Sequence, residues 1–279
     1  MNIIIGKSSG FCSGVQRAIK GATTALKEHK KFYCFGEIIH NPVVVKTLKD
    51  MGMVVVSDIT KVPDKSWFVI RSHGLQIEIY KKAVEKKLEI FDLTCPKVKK
   101  IHRLVTELTG KGRFILIIGN PSHPEVKAIL SLARENSRVI ETPGELKTLT
   151  FSEQYAIVVQ TTFNPEAFLE IVHDIILFTK KTIIYNTLCE ETIKRQKESL
   201  QLANEVDFMV VVGGGNSSNT KTLYNTVKKR VPAVHIEDIN ELNMKLFKDV
   251  KNVGIISGAS APENEVKKVY EYLTGFTKN

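Results

Sequence analysis

The feature that most constrains this chain is that it is written three times. Cys12, Cys95 and Cys189 are each followed, 28 residues later, by His40, His123 and Ser217 respectively. Those residues close three similar stretches: FYCFGEIIHNP (32–42), RFILIIGNPSHP (113–124) and DFMVVVGGGNSS (207–218). Each reads as a short apolar strand, a polar tip and a helix start. A second set, MVVVSDITKV, SRVIETPGELK and AVHIEDINELN, repeats strand then turn. A third set, SWFVIRSHG, QYAIVVQTTF and NVGIISGAS, ends at His73, Thr161 and Ser260. These lie 61, 66 and 71 residues after their cysteines, the drift expected of lengthening loops. The pattern predicts an α/β fold of three pseudo-symmetric units of about 90 residues, at 1–94, 95–188 and 189–279. The apolar runs are short and nearly continuous, so the sheets are expected to be mainly parallel. In such sheets ligands gather at the carboxyl ends of the strands, where every cysteine and polar tip falls. Units packed about a pseudo-threefold axis would bring three cysteines to its centre.

Local chemistry favours that placement. Pro96 suits the first position of a helix, where a missing N–H costs nothing, so Cys95 is expected at the N-cap. There, unbonded amides and the positive end of the helix stabilise a thiolate. Cys12, before Ser13, and Cys189, before Glu190, occupy equivalent corners. Cys34 sits inside FYCFG and reads as a small buried hydrophobe. No CxxC pair is present, which argues against a local zinc knuckle or a disulfide framework. Three converging thiolates leave two options. Zinc would take three cysteines plus a histidine or water. An iron–sulfur cluster would take three cysteines and leave one iron open.

The polar tips are His40-Asn41, Ser72-His73, His123-Pro124-Glu125, Thr161-Thr162, Ser217-Ser218-Asn219 and Ser260. This inventory suits a phosphate or diphosphate held by imidazoles, amides and helix N-termini, because it contains no lysine or arginine. Glu125 is its one carboxyl group and admits two readings. The first helical turn would stabilise a carboxylate there. Neighbouring negative charge would instead keep it protonated, as an acid. Two nucleotide-like strings fail on spacing: IGKSS lacks the upstream glycine of a P-loop, and GGGNSSNTKT lacks G-x-G-x-x-G. Gly74, Gly213–Gly215 and Gly258 are expected as flexible points.

Composition bounds the partners. The formal net charge is +10, which favours anionic ones. The lysines are scattered over helix faces (Lys81, Lys82, Lys86, Lys87) without interleaved aromatics, which speaks for a solvated surface and no nucleic-acid partner. No run approaches the roughly 18 apolar residues of a membrane span, so no membrane role is expected. MNIIIGKSSG reads as a first strand rather than a signal peptide, and the expected location is the cytoplasm.

An ordered set of motifs then carries a resemblance: GFCSGV (10–15), GEIIHNP (36–42), RSHG (71–74), DLTCP (92–96), HPEV (123–126), QTT (160–162), LCEET (188–192), NSSNT (216–220) and SGASAPE (257–263). Together, over essentially the whole chain, they resemble the LytB/IspH family of 4-hydroxy-3-methylbut-2-enyl diphosphate reductases, the last step of the methylerythritol phosphate route to isoprenoids. One departure is visible. The family pattern reads Pro-Arg before the glycine and Ala after the cysteine, where this chain has Ser8-Ser9 and Ser13. The resemblance implies one 4Fe–4S cluster per chain, held centrally by Cys12, Cys95 and Cys189, with one open iron for the allylic hydroxyl. It implies two-electron reductive dehydroxylation to isopentenyl and dimethylallyl diphosphate. By the same likeness His40, His73, Ser217, Ser218, Asn219 and Ser260 would hold the diphosphate, with His123 also in contact. Glu125 would supply protons through Thr161. The electron donor would be a ferredoxin or flavodoxin, an acidic partner for a basic surface.

Two rivals stand beside this reading. A quinolinate-synthase-like enzyme also gathers three cysteines from three α/β units, but the Ser-Ser-Asn cradle and the His-Pro-Glu tip argue against it. A basic zinc module binding RNA would be colourless and strongly salt-sensitive.

Overall fold

In the computed structural model the described residues are 1–148, 155–179 and 181–276. The first stretch runs β1 (Asn2–Ile5), α1 (Ser13–His29), β2 (Phe32–Phe35), α2 (Pro42–Asp50), β3 (Met53–Val56), β4 (Trp67–Ile70), α3 (Ile77–Glu85) and β5 (Glu89–Asp92). The second runs α4 (Pro96–Gly110), β6 (Phe114–Ile118), α5 (Pro124–Ala133), β7 (Ser137–Ile140), β8 (Tyr155–Val159), α6 (Pro165–Phe178) and β9 (Thr182–Tyr185). The third runs α7 (Glu190–Ala203), β10 (Phe208–Val212), α8 (Ser218–Val227), β11 (Ala233–Ile236), β12 (Asn252–Ser257) and α9 (Glu263–Phe276).

These strands form three four-stranded parallel sheets with one shared order: β5-β4-β2-β3, β9-β8-β6-β7 and β1-β12-β10-β11. The α/β class and the parallel sheets expected from the repeat are both present. The third sheet draws its outer strand from the start of the chain, with Ile5 opposite Ile255. Chain contacts divide the molecule into two compact units. Unit one is Met1–Gln16, His40–Val43 and Glu190–Asn279, and unit two is Arg17–Ile39 and Val44–Cys189.

Burial explains the strands. In β6, Leu116 and Ile118 pack on one face of their sheet while Ile115 and Ile117 pack on the other. In β10, Val210 and Val212 face one core and Met209 and Val211 the opposite one. Strands buried on both faces must be apolar at every position, which is why these runs do not alternate with polar residues. Proline marks the helix starts: α4, α5 and α6 carry it in their first turn, behind Cys95, His123 and Asn164 as N-caps. The Asn164 side chain accepts from Ala167 N–H at 2.9 Å. The carboxyl ends of the strands therefore lead through short tips into helix N-termini, the arrangement that gathers polar groups along one edge.

In unit two the turn carrying His73 is shaped by packing. Gly74 has φ +83°, and a β-carbon there would lie 2.4 Å from Cε1 of His102 on α4. Glycine is needed both for the left-handed backbone and for the approach of the ring. Burial pushes the His102 imidazole down to about 4; the Asp92 carboxylate opposes this and Lys99 adds to it. The folded protein thus favours the neutral ring. The associated stability is complete above the unfolded value, about 6.5, and drains as pH falls towards 4. Between pH 7 and pH 5, the wild type is expected to lose roughly 1–2 kcal/mol more unfolding free energy than His102→Gln. Urea unfolding at the two pH values checks this; equal losses would show that the ring is not held neutral.

Candidate active site

Each cysteine is fixed by the same main-chain bond. Cys12 N–H donates to Ala259 O at 3.0 Å, Cys95 N–H to Ser72 O at 2.9 Å and Cys189 N–H to Thr161 O at 2.9 Å. In each case the strand before the cysteine is the outer partner of the strand whose tip accepts the bond. This pattern sharpens the repeat. Ala259, Ser72 and Thr161 are structural equivalents, so His73 and Ser260 correspond to Thr162, one residue beyond the Thr161 that spacing alone suggests.

All four cysteines are reduced thiols. Cys95 caps α4, and Cys12 and Cys189 immediately precede α1 and α7. Val15 N–H donates to Cys12 Sγ at 3.5 Å, a helix-terminal amide directed at sulfur. These three side chains are half-buried, whereas Cys34 is fully buried in β2. Burial pushes the Cys34 thiol up to about 12, only partly offset by the Arg71 guanidinium. Cys34 is thus packed in the core as a small hydrophobe. A soft thiol beside the N–H groups of a helix start is the donor type that an iron–sulfur or zinc centre takes.

Unit one gathers His40, Ser217, Ser218, Asn219 and Ser260 around the ends of β10 and β12. Ser260 Oγ donates to His40 O at 3.0 Å, and Asn41 Nδ2 donates to Ser260 O at 2.9 Å. Gly214 lies so near that a β-carbon there would sit 2.7 Å from the same His40 carbonyl oxygen. Ser217 caps α8, its Oγ accepting from Thr220 N–H at 3.3 Å. Asn219 is buried with neither side-chain atom bonded among the described residues. A buried carboxamide in that condition is costly unless a ligand completes it, which suits the acceptor oxygens of a phosphate.

The glycines here serve packing. A β-carbon on Gly258 would lie 1.9 Å, and one on Gly213 2.7 Å, from Thr220 Oγ1. Their expected role as flexible points is replaced by a steric one. Residues outside the predicted set hold this tip from behind: Glu237 accepts from Gly215 N–H, and His235 Nε2 lies 2.7 Å from Gly213 O. Both sit in AVHIED, His235 within β11 and Glu237 just past its end, and carry no local motif that would single them out.

Unit two gathers His73, His123, Glu125 and Thr161. The His73 and His123 rings meet edge to face with centroids 5.3 Å apart. His123 caps α5 through Nδ1, which accepts from Glu125 N–H at 3.2 Å and leaves the proton on Nε2. The Glu125 carboxyl is 1% exposed, so solvent cannot stabilise its charge. Thr161 N–H reaches Oε1 at 2.7 Å and Thr161 Oγ1 reaches Oε2 at 2.6 Å. Burial raises the pKa of this carboxyl, and the two Thr161 bonds lower it by less. This upward shift comes from burial rather than from neighbouring negative charge, and it runs opposite to the shift a helix dipole would give. Ser72 Oγ donates to Ile38 O at 2.9 Å, and Arg17 Nη1 to Thr94 O at 2.9 Å, fixing the approaches to His73 and Cys95.

Near the chain start, Ser8 N–H donates to Glu198 Oε2 at 2.9 Å and Lys7 N–H to Oε1. A proline at position 8, as in the family pattern, would lack that N–H.

Among the described residues no helix is long and apolar enough to cross a membrane. The family model described as LytB protein matches residues 3–274. The 4-hydroxy-3-methylbut-2-enyl diphosphate reductase of Clostridioides difficile (strain 630) is 39% identical over 276 residues, covering 98% of this chain and 99% of its own. The reductase of the same name from Aquifex aeolicus is 41% identical over 274 residues, covering 96% and 94%. Among solved structures, the E-1-hydroxy-2-methyl-but-2-enyl-4-diphosphate reductase of Plasmodium falciparum superposes with a TM-score of 0.93 at 30% identity, over 98% of this chain and 88% of that one. A second, titled as (E)-4-hydroxy-3-methyl-but-2-enyl diphosphate reductase, the terminal enzyme of the non-mevalonate pathway, gives 0.71 at 39% identity, over 99% and 100%. With its motifs in order and its length matched from end to end, this chain belongs to the LytB family.

Proposed function

We propose that this chain reduces 4-hydroxy-3-methylbut-2-enyl diphosphate to isopentenyl and dimethylallyl diphosphate, with the loss of one hydroxyl as water. The observation that carries the mechanism is the buried Glu125 carboxyl bonded through both oxygens to Thr161. Cys12, Cys95 and Cys189, one from each third of the chain (1–94, 95–188 and 189–279), would hold a 4Fe–4S cluster. When bound, that cluster would relay two electrons, one at a time, from the external donor and would offer a Lewis-acidic iron to the allylic hydroxyl.

The protein's own groups do the rest. Asn219, with Ser217 and Ser218 at the N-terminus of α8, would donate to the diphosphate, aided by His40, His73, His123 and Ser260. The diphosphate is remote from the C–O bond that breaks, so its binding energy serves to align that bond. Burial raises the pKa of Glu125 and so favours its protonated form. In that state the carboxyl donates to Thr161 Oγ1, and the hydroxyl proton of Thr161 is turned onward to the leaving oxygen or to the allylic carbon. An acidic ferredoxin or flavodoxin as donor would be drawn by the formal charge of +10. Four reduced thiols suit a reducing, cytoplasmic setting. The quinolinate-synthase-like alternative is not favoured, since full-length relatives carry the reductase name.

The direct test is anaerobic turnover of the hydroxymethylbutenyl diphosphate with dithionite and a viologen. Glu125→Gln is expected to lower kcat by at least about 100-fold while the diphosphate binds within a few-fold of wild type. Wild-type kcat is expected to fall as pH rises through the Glu125 pKa, because the acid is then lost. Turnover surviving in Glu125→Gln would demote this carboxyl to a structural group.

The ligand assignment has its own measurement. Iron and sulfide assayed after anaerobic purification should approach four of each per wild-type chain. Cys34→Ser is expected to keep that content and the brown colour, and Cys95→Ser to lose both. A colourless protein containing zinc alone would rule the cluster out.

A further inference from the structure

The three cysteines are not reached by equal lengths of chain. Cys95 lies three residues beyond the end of β5 and Cys189 four beyond β9, whereas Cys12 lies seven beyond the end of β1. The two short linkers are ordered locally. Asp92 Oδ1 accepts from Thr94 N–H at 2.9 Å, and Asn186 Oδ1 accepts from Leu188 N–H at 3.2 Å. These are side-chain turns of the Asx kind. The longer Lys7–Phe11 linker has one local turn bond, Ser9 N–H to Gly6 O at 3.0 Å, and takes the rest of its support from elsewhere. Fixing it costs more conformational entropy, and its main-chain polar groups also need partners.

That support comes from one face of α7 and the end of β12. Glu198 accepts the N–H groups of Lys7 and Ser8. Arg195, one turn earlier, is 2% exposed. Its Nη2 donates to Gly10 O at 3.0 Å and its Nη1 to Ser257 O at 2.8 Å. Ser257 Oγ accepts from Gly10 N–H at 2.7 Å, so both polar groups of Gly10 are taken. Gly10 has φ +101°, a conformation that L side chains rarely adopt. The chemistry is complementary. A carboxylate only accepts and meets N–H groups; a guanidinium only donates and meets carbonyls. Burial pushes the Glu198 carboxyl up, but its bonds from Ser8 and Lys7, with the nearby Lys194, hold it below the ordinary carboxylate range. It is therefore charged at neutral pH.

We propose that Arg195 and Glu198 form a two-charge clamp that sets the path of residues 7–12 and thereby positions the Cys12 thiol. The functional half of this statement rests on the reading of Cys12 as a cluster ligand. Because Arg195 grips Gly10 and Ser257 together, the clamp also joins the Cys12 loop to the strand end that leads to Ser260. Arg195 is a positioning residue: its fork spans two carbonyls, which a lysine ammonium can do only in part.

The experiment compares anaerobically prepared Arg195→Met, Arg195→Lys, Glu198→Gln and a core control, Val210→Ala, with wild type. Hydrogen exchange is followed in the peptide containing residues 7–12, and visible absorbance of the cluster is followed during exposure to air. Arg195→Met and Glu198→Gln are expected to raise loop exchange on the order of tenfold and to hasten loss of the cluster. Arg195→Lys should fall between them and wild type. The control should leave both readouts unchanged despite a comparable fall in Tm. Unchanged loop exchange in Glu198→Gln, which removes charge while keeping shape and half-exposed surroundings, would overturn the clamp even if Arg195→Met failed to fold. An equal rise in the control would overturn it too. Cys12→Ser separates the two readings. Retention of full iron there refutes the ligand assignment, while the exchange data decide the clamp by themselves.

Discussion

The interaction on which the rest depends is the amide of each cysteine bonded to the tip of the neighbouring strand. An outer parallel strand feeds a cysteine whose N–H closes on Ala259, Ser72 or Thr161. Because that bond is main chain to main chain, the backbone of each cysteine is held by strand pairing, and at Cys12 the Arg195 and Glu198 side chains add to it. The flanking residues therefore differ: Gly-Phe before Cys12, Leu-Thr before Cys95, Thr-Leu before Cys189. Strand pairing is in turn secured by sheets buried on both faces, where slipping one residue would still bury apolar groups but would break the tip bonds. The chemistry at the edge and the packing of the core are thus coupled through a few backbone hydrogen bonds.

Much of this was legible in sequence because the repeat carries it. Equal spacing of Cys12, Cys95 and Cys189 from His40, His123 and Ser217 reflects a repeated helix, strand and tip of equal total length, although the helices have 17, 15 and 14 residues. Pro96 announces a helix start by its missing N–H, so Cys95 could be placed as a cap, and Pro124 plays the same part behind His123 in the structure. Cys34 could be assigned to the core because it lies within an apolar run. Thr161 could be found, although its equivalence to Ser72 rather than His73 could not, since that follows from the Cys189 bond.

What stayed hidden is held by distance. The pairing of β1 with β12 joins residues about 250 apart in sequence, as Asn2 opposite Asn252 shows. Glu198 reaches back 190 residues to Ser8, and Arg195 reaches back 185 to Gly10. In the sequence both belong to ETIKRQKES, an ordinary polar helix with no apolar stripe to give them away. Their meaning comes only from what α7 lies against. Glu237 and His235 are similar: a carboxylate just past a short strand and an imidazole within it, with no pattern to mark them as props of the Gly213–Gly215 tip. Side chains that serve a remote backbone leave no period and no motif, because any helix or strand that passes near enough can supply them.

Glu125 shows how two local rules can oppose each other and which one wins. As the second residue of α5 it meets a helix dipole that stabilises a carboxylate by about 0.3–1 kcal/mol, up to about 2 in a partly buried site. Removing an ionised carboxyl from water costs several kcal/mol even after relaxation. At 1% exposure the second effect is the larger, so the net shift is upward although Thr161 donates two bonds to the group. The sequence supplied the dipole term; the packing of β8 and α5 supplied the burial. A carboxyl placed this way is not a good stabiliser of its helix. It is a buried carboxyl, shifted toward its protonated form and already bonded to the Thr161 hydroxyl, which is the placement the proposed proton transfer calls for.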